Sequence, residues 1–421
     1  MAFLDQAKPD QPLALWVHYF DAHAPYQGQV DEPDPGVAYR SEVEAMDAAF
    51  GRLREAVARR GRPVIWWVLA DHGEGLGEHG ERTHGLFVYD STVHIPMWLS
   101  APGIAAGARD DLATQVDVLP TTLGLLGLPL PVDVDGINLL ASKRETDAQV
   151  VVETALPYFD FGISPLHALR GHSHKYIAAP KPEFYDLATD PAEQTNLIPG
   201  DQPTGLAAEW SVDLDGYLLE YGSIDQAVTR AASADAETSE RLRSLGYLSG
   251  SDMGLGQLDP KDAVALVDGH SRAVELAGAQ RMTEAIDELD RVLVSFPGAR
   301  AALYLRARLL AATGQYVAAE VDAKAINTRH PDADSVLLAA QLALLLRRPD
   351  DARVLLAEAT RLDPNHGGAL VVLGDLALQD GNRDQARAYF QQALDKDGGR
   401  IGRQVRARLQ RMEQPAPVPG Q

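Results

Sequence analysis

Apolar residues in the first part of the chain come in short unbroken runs rather than in alternation. Residues 12–20 (PLALWVHYF) and 64–70 (VIWWVLA) are two such runs, and residues 93–100 form a third. Their length and their β-branched and aromatic content predict strands covered on both faces. Between the first two, residues 39–60 change to a helical period. Val43, Met46, Ala49, Phe50, Leu53 and Val57 share one face there, and Gly61-Arg62-Pro63 ends it. Residues 71–89 follow neither period, and residues 118–126 predict another helix. Strand–helix–strand order predicts an α/β sheet with helices on both faces. Short strands are then predicted at 150–154, 166–170, 175–179 and 184–187. Without crossover helices they make a small antiparallel sheet, followed by a helix within 202–222.

The last part of the chain repeats. Ala285, Ala319, Ala352 and Ala386 are spaced by 34, 33 and 34 residues. Four positions after each stands Leu289, Ala323, Leu356 or Phe390, and twelve after each Pro297, Pro331, Pro364 or Gly398. Gly314 and Gly381 mark turns five positions before two of the alanines. This period, with small residues where two helices cross, resembles the tetratricopeptide repeat (TPR) family over residues 262–398 and implies an all-α solenoid. Residues 401–412 continue as a basic amphipathic helix suited to capping the stack, and 414–421 (QPAPVPGQ) read as a disordered tail. The run at 336–346 is repeat core, too short for a membrane span.

Composition narrows the chemistry. Lys+Arg number 38 and Asp+Glu 60, a net charge of −22, which argues against nucleic-acid or anionic-lipid binding through a basic patch. The chain has no cysteine, which excludes disulfides, thiolate metal sites and a cysteine nucleophile within it. No apolar run approaches the roughly 18 residues of a membrane span, and residues 1–11 lack the pattern of a signal peptide.

The aperiodic stretch holds the candidate chemistry. Asp71-His72 ends the VIWWVLA run, where open α/β sheets place ligands, and Gly73-Glu74-Gly75-Leu76-Gly77-Glu78-His79-Gly80 and His84 follow. Asp21-Ala22-His23-Ala24-Pro25 ends the other run. Carboxylate beside imidazole suits a divalent cation, hard if oxygens dominate and Zn²⁺ or Mn²⁺ if imidazoles do. Glu74 and Glu78 read as solvated or as supports behind ligands, Trp66 and Trp67 as core, and His167, His172 and His174 as surface or strand-edge residues.

These residues also carry a resemblance. Asp71-His72-Gly73-Glu74, Gly77-Glu78-His79-Gly80, His84-Gly85, Tyr89-Asp90 and Ile95-Pro96 resemble the second half of the sulfatase family within the alkaline-phosphatase superfamily. Phe20-Asp21-Ala22-His23-Ala24-Pro25-Tyr26 is similar to that family's His-x-Pro-Tyr/His segment. Lys175-Tyr176-Ile177, Tyr185-Asp186-Leu187, Asp190-Pro191, Glu193 and Asn196-Leu197 resemble its C-terminal subdomain. Residues 241–247 are similar to the segment joining sulfatase-like and TPR parts in bacterial fusion proteins.

The resemblance implies a sulfuric ester hydrolase with a divalent metal, calcium first, with Mg²⁺, Mn²⁺ or Zn²⁺ as alternatives. It puts Asp71 and His72 on the metal, and His23 and His84 at catalytic positions against the ester. His84 stands where many members have lysine, which keeps a phosphoesterase or phosphotransferase open. The resemblance puts His79 behind the ligands or against the substrate. The family's Cys/Ser-x-Pro-x-Arg nucleophile segment and its early Asp-Asp pair are absent from this sequence. The expectation is therefore a truncated domain, inactive by itself, with a non-catalytic TPR scaffold as the alternative.

The expected organisation is a partial sulfatase-like α/β domain over 1–148 and a C-terminal subdomain over 149–222. A linker follows over 223–259, with a short helix at 239–245. TPR repeats occupy 260–398, a capping helix 399–413 and a tail 414–421. The expected partners are a sulfate- or phosphate-ester substrate and a peptide or protein on the TPR concave face. A true start at Met1 implies a cytoplasmic protein, and a longer natural N-terminus a periplasmic or membrane-anchored one.

Overall fold

A computed structural model describes residues 2–6, 8, 11–24, 26, 34–222, 258–329, 331–397 and 401–413. Most of the expected linker, with its helix at 239–245 and the joining segment at 241–247, lies outside the described residues, as do Gly398 and the tail. The chain divides into two compact units, one of residues 1–157 and 164–230, the other of residues 158–163 and 231–421.

In the first unit, helix α1 (Pro35–Ala58) begins four residues before its apolar period. The Asp34 carboxylate accepts from the Gly36 N–H at 2.8 Å, and Pro35 occupies the first turn, where its missing donor costs nothing. Strand β1 (Trp66–Leu69) pairs antiparallel with β2 (Met97–Ser100), Trp66 opposite Ser100. Adjacent strand residues point to opposite faces. Trp66 meets Phe50 of α1 edge-on at 5.6 Å, and the Trp67 indole N–H donates to Thr122 Oγ1 at 2.9 Å on helix α2 (Val118–Leu125). Each face of this ladder thus carries a helix, as the pattern predicts.

Residues 12–20 depart from expectation. They form no ladder with any described strand, and Trp16 is 92% exposed. Strand composition produces a strand only where a neighbouring edge accepts its hydrogen bonds. Val93, read as the start of a strand, instead ends a helical turn over Asp90–Val93, and β2 begins at Met97.

The second sheet is a meander of β3 (Val150–Thr154), β4 (Leu166–Arg170), β5 (His174–Ala178) and β6 (Glu183–Asp186), antiparallel throughout. Helix α3 (Leu206–Tyr221) lays Ala207 and Leu214 against Leu169, Tyr176 and Phe184. His167 lies buried in β4 rather than at the surface.

The second unit is a helical array. Its helices are α4 (Val264–Gly278), α5 (Met282–Ser295), α6 (Arg300–Ala312), α7 (Tyr316–Arg329), α8 (Ala333–Leu345), α9 (Pro349–Leu362), α10 (Gly367–Gln379), α11 (Arg383–Asp397) and α12 (Gly402–Glu413). Consecutive helices from α4 to α11 pack in pairs, and α12 covers α11. The four spaced alanines are fully buried, where a larger side chain would force the paired helices apart. Arg306 of α6 grips Asp322 of α7 through two bonds of 2.7 and 2.9 Å and reaches Asp290 of α5 at 2.5 Å. Arg408 of α12 holds Asp375 of α10 through two bonds of 2.8 Å. Among the described residues no helix is long and apolar enough to cross a membrane.

Candidate active site: three imidazoles beyond the tryptophan strand

Asp71 and His72 follow β1 directly. Gln115 fastens this exit, its side-chain amide donating to the carbonyls of Ala70 at 3.1 Å and Asp71 at 2.7 Å. Asp71 Oδ2 lies 3.7 Å from His72 Nε2, and both side chains are solvent-accessible. His72 Nδ1 is 2.8 Å from the Gly73 carbonyl. A carbonyl only accepts, so Nδ1 carries a proton, and in the neutral ring the lone pair sits on Nε2, the nitrogen nearest Asp71.

The same device recurs at the other two histidines. His23 Nδ1 donates to the Ala24 carbonyl at 2.5 Å, and His84 Nδ1 to Glu74 Oε1 at 3.2 Å. The rings converge: His72 and His84 are 3.9 Å apart between centroids, and His23 and His84 5.3 Å. Phe20 stacks on His23 at 4.5 Å. The Asp71-His72 pair, His23 and His84, separate in sequence, therefore form one cluster. His79 does not join it. Its ring stacks on Tyr89 at 3.6 Å, and its Nε2–H donates to the Ala192 carbonyl at 3.1 Å.

Residues 1–128 match the sulfatase family model, and residues 271–334 and 343–409 match tetratricopeptide repeat models. This chain joins a sulfatase-like segment to TPR repeats. It is 30% identical over 200 residues to the Delta 4,5-hexuronate-2-O-sulfatase of Bacteroides thetaiotaomicron, covering 45% of this chain and 41% of that protein. It is 28% identical over 224 residues to the choline-sulfatase of Rhizobium meliloti, covering 50% and 42%. It is 32% identical over 145 residues to human arylsulfatase K, covering 30% and 26%. The chain thus spans less than half the length of each of these relatives.

Within the sulfatase-like segment, burial and pairing set the charges. The bond to the Glu74 carboxylate raises the His84 pKa above the ordinary histidine range, against the opposing effect of burial. Burial lowers the pKa of His79. The Glu74 side chain is only 5% exposed, so the solvated alternative for it is wrong: Glu74 is the buried partner of His84. The Glu78 carboxylate accepts from the Leu76 N–H at 2.7 Å, a loop support rather than a ligand.

Other supports are not evident from sequence. Glu81 is buried and accepts the N–H of Leu86 at 2.6 Å and of Phe87 at 3.4 Å. Burial pushes its pKa up to about 7. Lys175, fully buried, sits 2.5 Å from Asp90 Oδ1 and 2.8 Å from Glu193 Oε1. A cavity of about 470 Å³ opens beside His79, lined also by Asp90, Arg170, His172 and Glu193. The three clustered imidazoles do not line it.

The geometry fits part of a metal shell. A carboxylate oxygen and an imidazole lone pair 3.7 Å apart can both reach one divalent cation at the usual distances of about 2.0–2.6 Å. The Nδ1–H bond of His72 to a carbonyl is the outer contact that orients a metal-bound histidine. Among the described residues no group of three or more His, Asp or Glu side chains could hold a metal ion.

Proposed function

We propose that the sulfatase-like segment hydrolyses sulfuric esters at a divalent-metal site, of which Asp71 and His72 are two ligands. The remaining ligands and the attacking group come from polypeptide outside this sequence, and residues 1–421 alone turn over no ester. The convergence of His23, His72 and His84 beyond the tryptophan strand is the observation that carries this reading. The absence of cysteine and of a Ser-x-Pro-x-Arg segment supports the second part.

A divalent cation, when bound, supplies a Lewis acid for the ester oxygens. The chain's own residues supply the rest. The bond to Glu74 favours the protonated form of His84, whose Nε2–H would meet the oxygen on which charge develops as the ester bond breaks. His23, oriented by its Nδ1–H bond and stacked on Phe20, presents Nε2 to the same group. The TPR array binds a peptide or protein segment on its concave face, bringing the hydrolase part to a partner.

Two measurements on the full chain test this. Mn²⁺ should broaden the His72 ring resonances, and His72→Ala should abolish Mn²⁺ binding. Aryl sulfate hydrolysis by the chain alone, with Ca²⁺, Mg²⁺ or Mn²⁺, should stay at background. With only two ligands in this chain binding is weak, so Mn²⁺ is used in large excess, and absence of broadening there refutes the metal reading. Robust turnover lost in His72→Ala refutes the claim that further groups are required, and faster hydrolysis of an aryl phosphate refutes the sulfate preference.

A further inference from the structure

The backbone from Gly85 to Tyr89 has no regular structure, yet up to the helical turn that starts at Asp90 it is held at nearly every step by side chains from elsewhere. The Gly85 carbonyl accepts from Thr154 Oγ1 at 2.5 Å. The N–H groups of Leu86 and Phe87 go to Glu81. The Val88 carbonyl accepts from Lys175 Nζ at 3.0 Å, and the Asp90 N–H donates to Glu193 Oε2 at 2.5 Å. Leu86, Phe87, Val88 and Tyr89 are all at most 4% exposed. Gly85 has φ 95°, and a Cβ there would lie 2.8 Å from Leu156, so this entrance tolerates only glycine.

Lys175 is the hub of these ties. It bonds the Val88 carbonyl directly, pairs with Asp90, and pairs with Glu193, which itself holds the Asp90 N–H. Arg170 of β4 takes the other Asp90 oxygen at 2.9 Å. A buried ammonium persists only where such partners surround it, and removing it leaves the Glu193 carboxylate and the Val88 carbonyl without their cation and Asp90 with Arg170 alone.

We propose that Lys175 is a positioning residue for His84: it fastens residues 85–90 to the second sheet and thereby fixes how far the His84 ring stands from His72 and His23. Its relevance to catalysis rests on the reading of His84 given above, but the geometric statement does not. Lys175 touches neither the cluster nor any substrate and acts only through the backbone rail that begins after His84.

The experiment uses the full chain labelled with ¹⁵N-histidine. The His72 and His84 rings lie 3.9 Å apart and tilt by 31°, so each resonance carries the other's ring-current shift. Lys175→Met should move both ring resonances and leave His366, in the second unit, unmoved. Leu214→Ala is the control. It removes a core side chain, 1% exposed, from the same sheet and helix without touching the rail. It should lower stability while leaving His72 and His84 in place. A folded Lys175→Met with unshifted His72 and His84 overturns the proposal, and so does a Leu214→Ala that shifts them equally. If Lys175→Met does not fold, Asp90→Asn loosens the same hub and is read in the same way. If neither folds, wild-type amide exchange decides. Leu86, Phe87 and Asp90 should exchange together with β4 and β5, and exchange ahead of that sheet overturns the proposal. The Mn²⁺ broadening of His72 is read separately on the wild type, so failure of the metal reading leaves this result intact.

Discussion

Replacing Glu81 by glutamine should stabilise the first unit, and by an amount that grows with pH. Glu81 Oε2 is buried with no hydrogen-bond partner among the described residues, while Oε1 serves the Leu86 and Phe87 amides. Burial therefore dominates, and the carboxyl is pushed from an ordinary 4.5 up to about 7. The folded state then holds a proton that the unfolded state releases between those two values. Stability falls as pH rises through that window, and the full penalty is present above it. At about 1.4 kcal/mol per pKa unit the penalty reaches about 3 kcal/mol. Glutamine keeps the acceptor oxygen for both amides and never ionises. Glu81→Gln should thus gain about 1 kcal/mol near pH 5 and about 3 kcal/mol near pH 8. Urea unfolding followed by tryptophan fluorescence reads this cleanly, because Trp16, Trp66, Trp67, Trp98 and Trp210 are the chain's only tryptophans and all belong to the first unit. With a slope of about 2 kcal/mol per molar, the midpoint near pH 8 should rise by about 1.5 M. A gain independent of pH, or a loss near pH 8, refutes the reasoning.

Glu74→Gln removes the carboxylate that accepts the His84 Nδ1–H, so the His84 pKa should fall; an NMR titration in which it stays put contradicts the assignment. Phe390→Ala, at a fully buried ring packed against Gly374, should cost the second unit about 3–5 kcal/mol, read by circular dichroism in urea. Arg306→Met leaves the Asp322 carboxylate, whose side chain is only 4% exposed, without its guanidinium, and should cost about 3 kcal/mol. The double variant with Asp322→Leu should recover most of that loss, and a simple sum of the single effects would argue against the pairing.

The repeats were legible because each helix pair solves the same packing problem at the same offset. Ala285, Ala319, Ala352 and Ala386 report a helix crossing without any knowledge of the neighbouring repeat. The meander was legible for a similar reason: each strand finds its partner a few residues away, as Arg170 finds Lys175. Residues 12–20 show the limit. Their apolar content is right for a strand, but a ladder is a property of two segments, and no described strand pairs with this one. The start of α1 was missed because periodicity marks the buried face, whereas the Asp34 cap and Pro35 set the end. Glu74 was read as solvated or as a support behind ligands, Lys175 only as part of a subdomain resemblance, and Glu81 not at all, since a charged residue is buried only when distant partners meet it. For Lys175 those partners lie 85 positions before it and 18 after it.

What the sequence could say about the imidazole cluster divides along the same line. The orientation of each ring is local: His23 and His72 each donate to the carbonyl of the next residue, and His84 to a carboxylate ten positions back. The convergence is not local, because it depends on where β1 ends and on the rail from Gly85 to Asp90. The chain's charge sharpens the demand on this cluster. At a net −22, the field at long range repels an anionic ester, and at physiological salt screening leaves only the last 8 Å or so for attraction to act. Capture then falls to groups inside that distance. Under the proposed function His84, whose protonated form is favoured by a Glu74 shielded from solvent, would be one such group supplied by residues of this chain. The exposed Asp71 carboxylate would otherwise add one more negative charge at the place proposed for the ester. The cation proposed between Asp71 and His72 would reverse that sign locally, so the charge of the whole chain and the proposed metal site call for the same occupant.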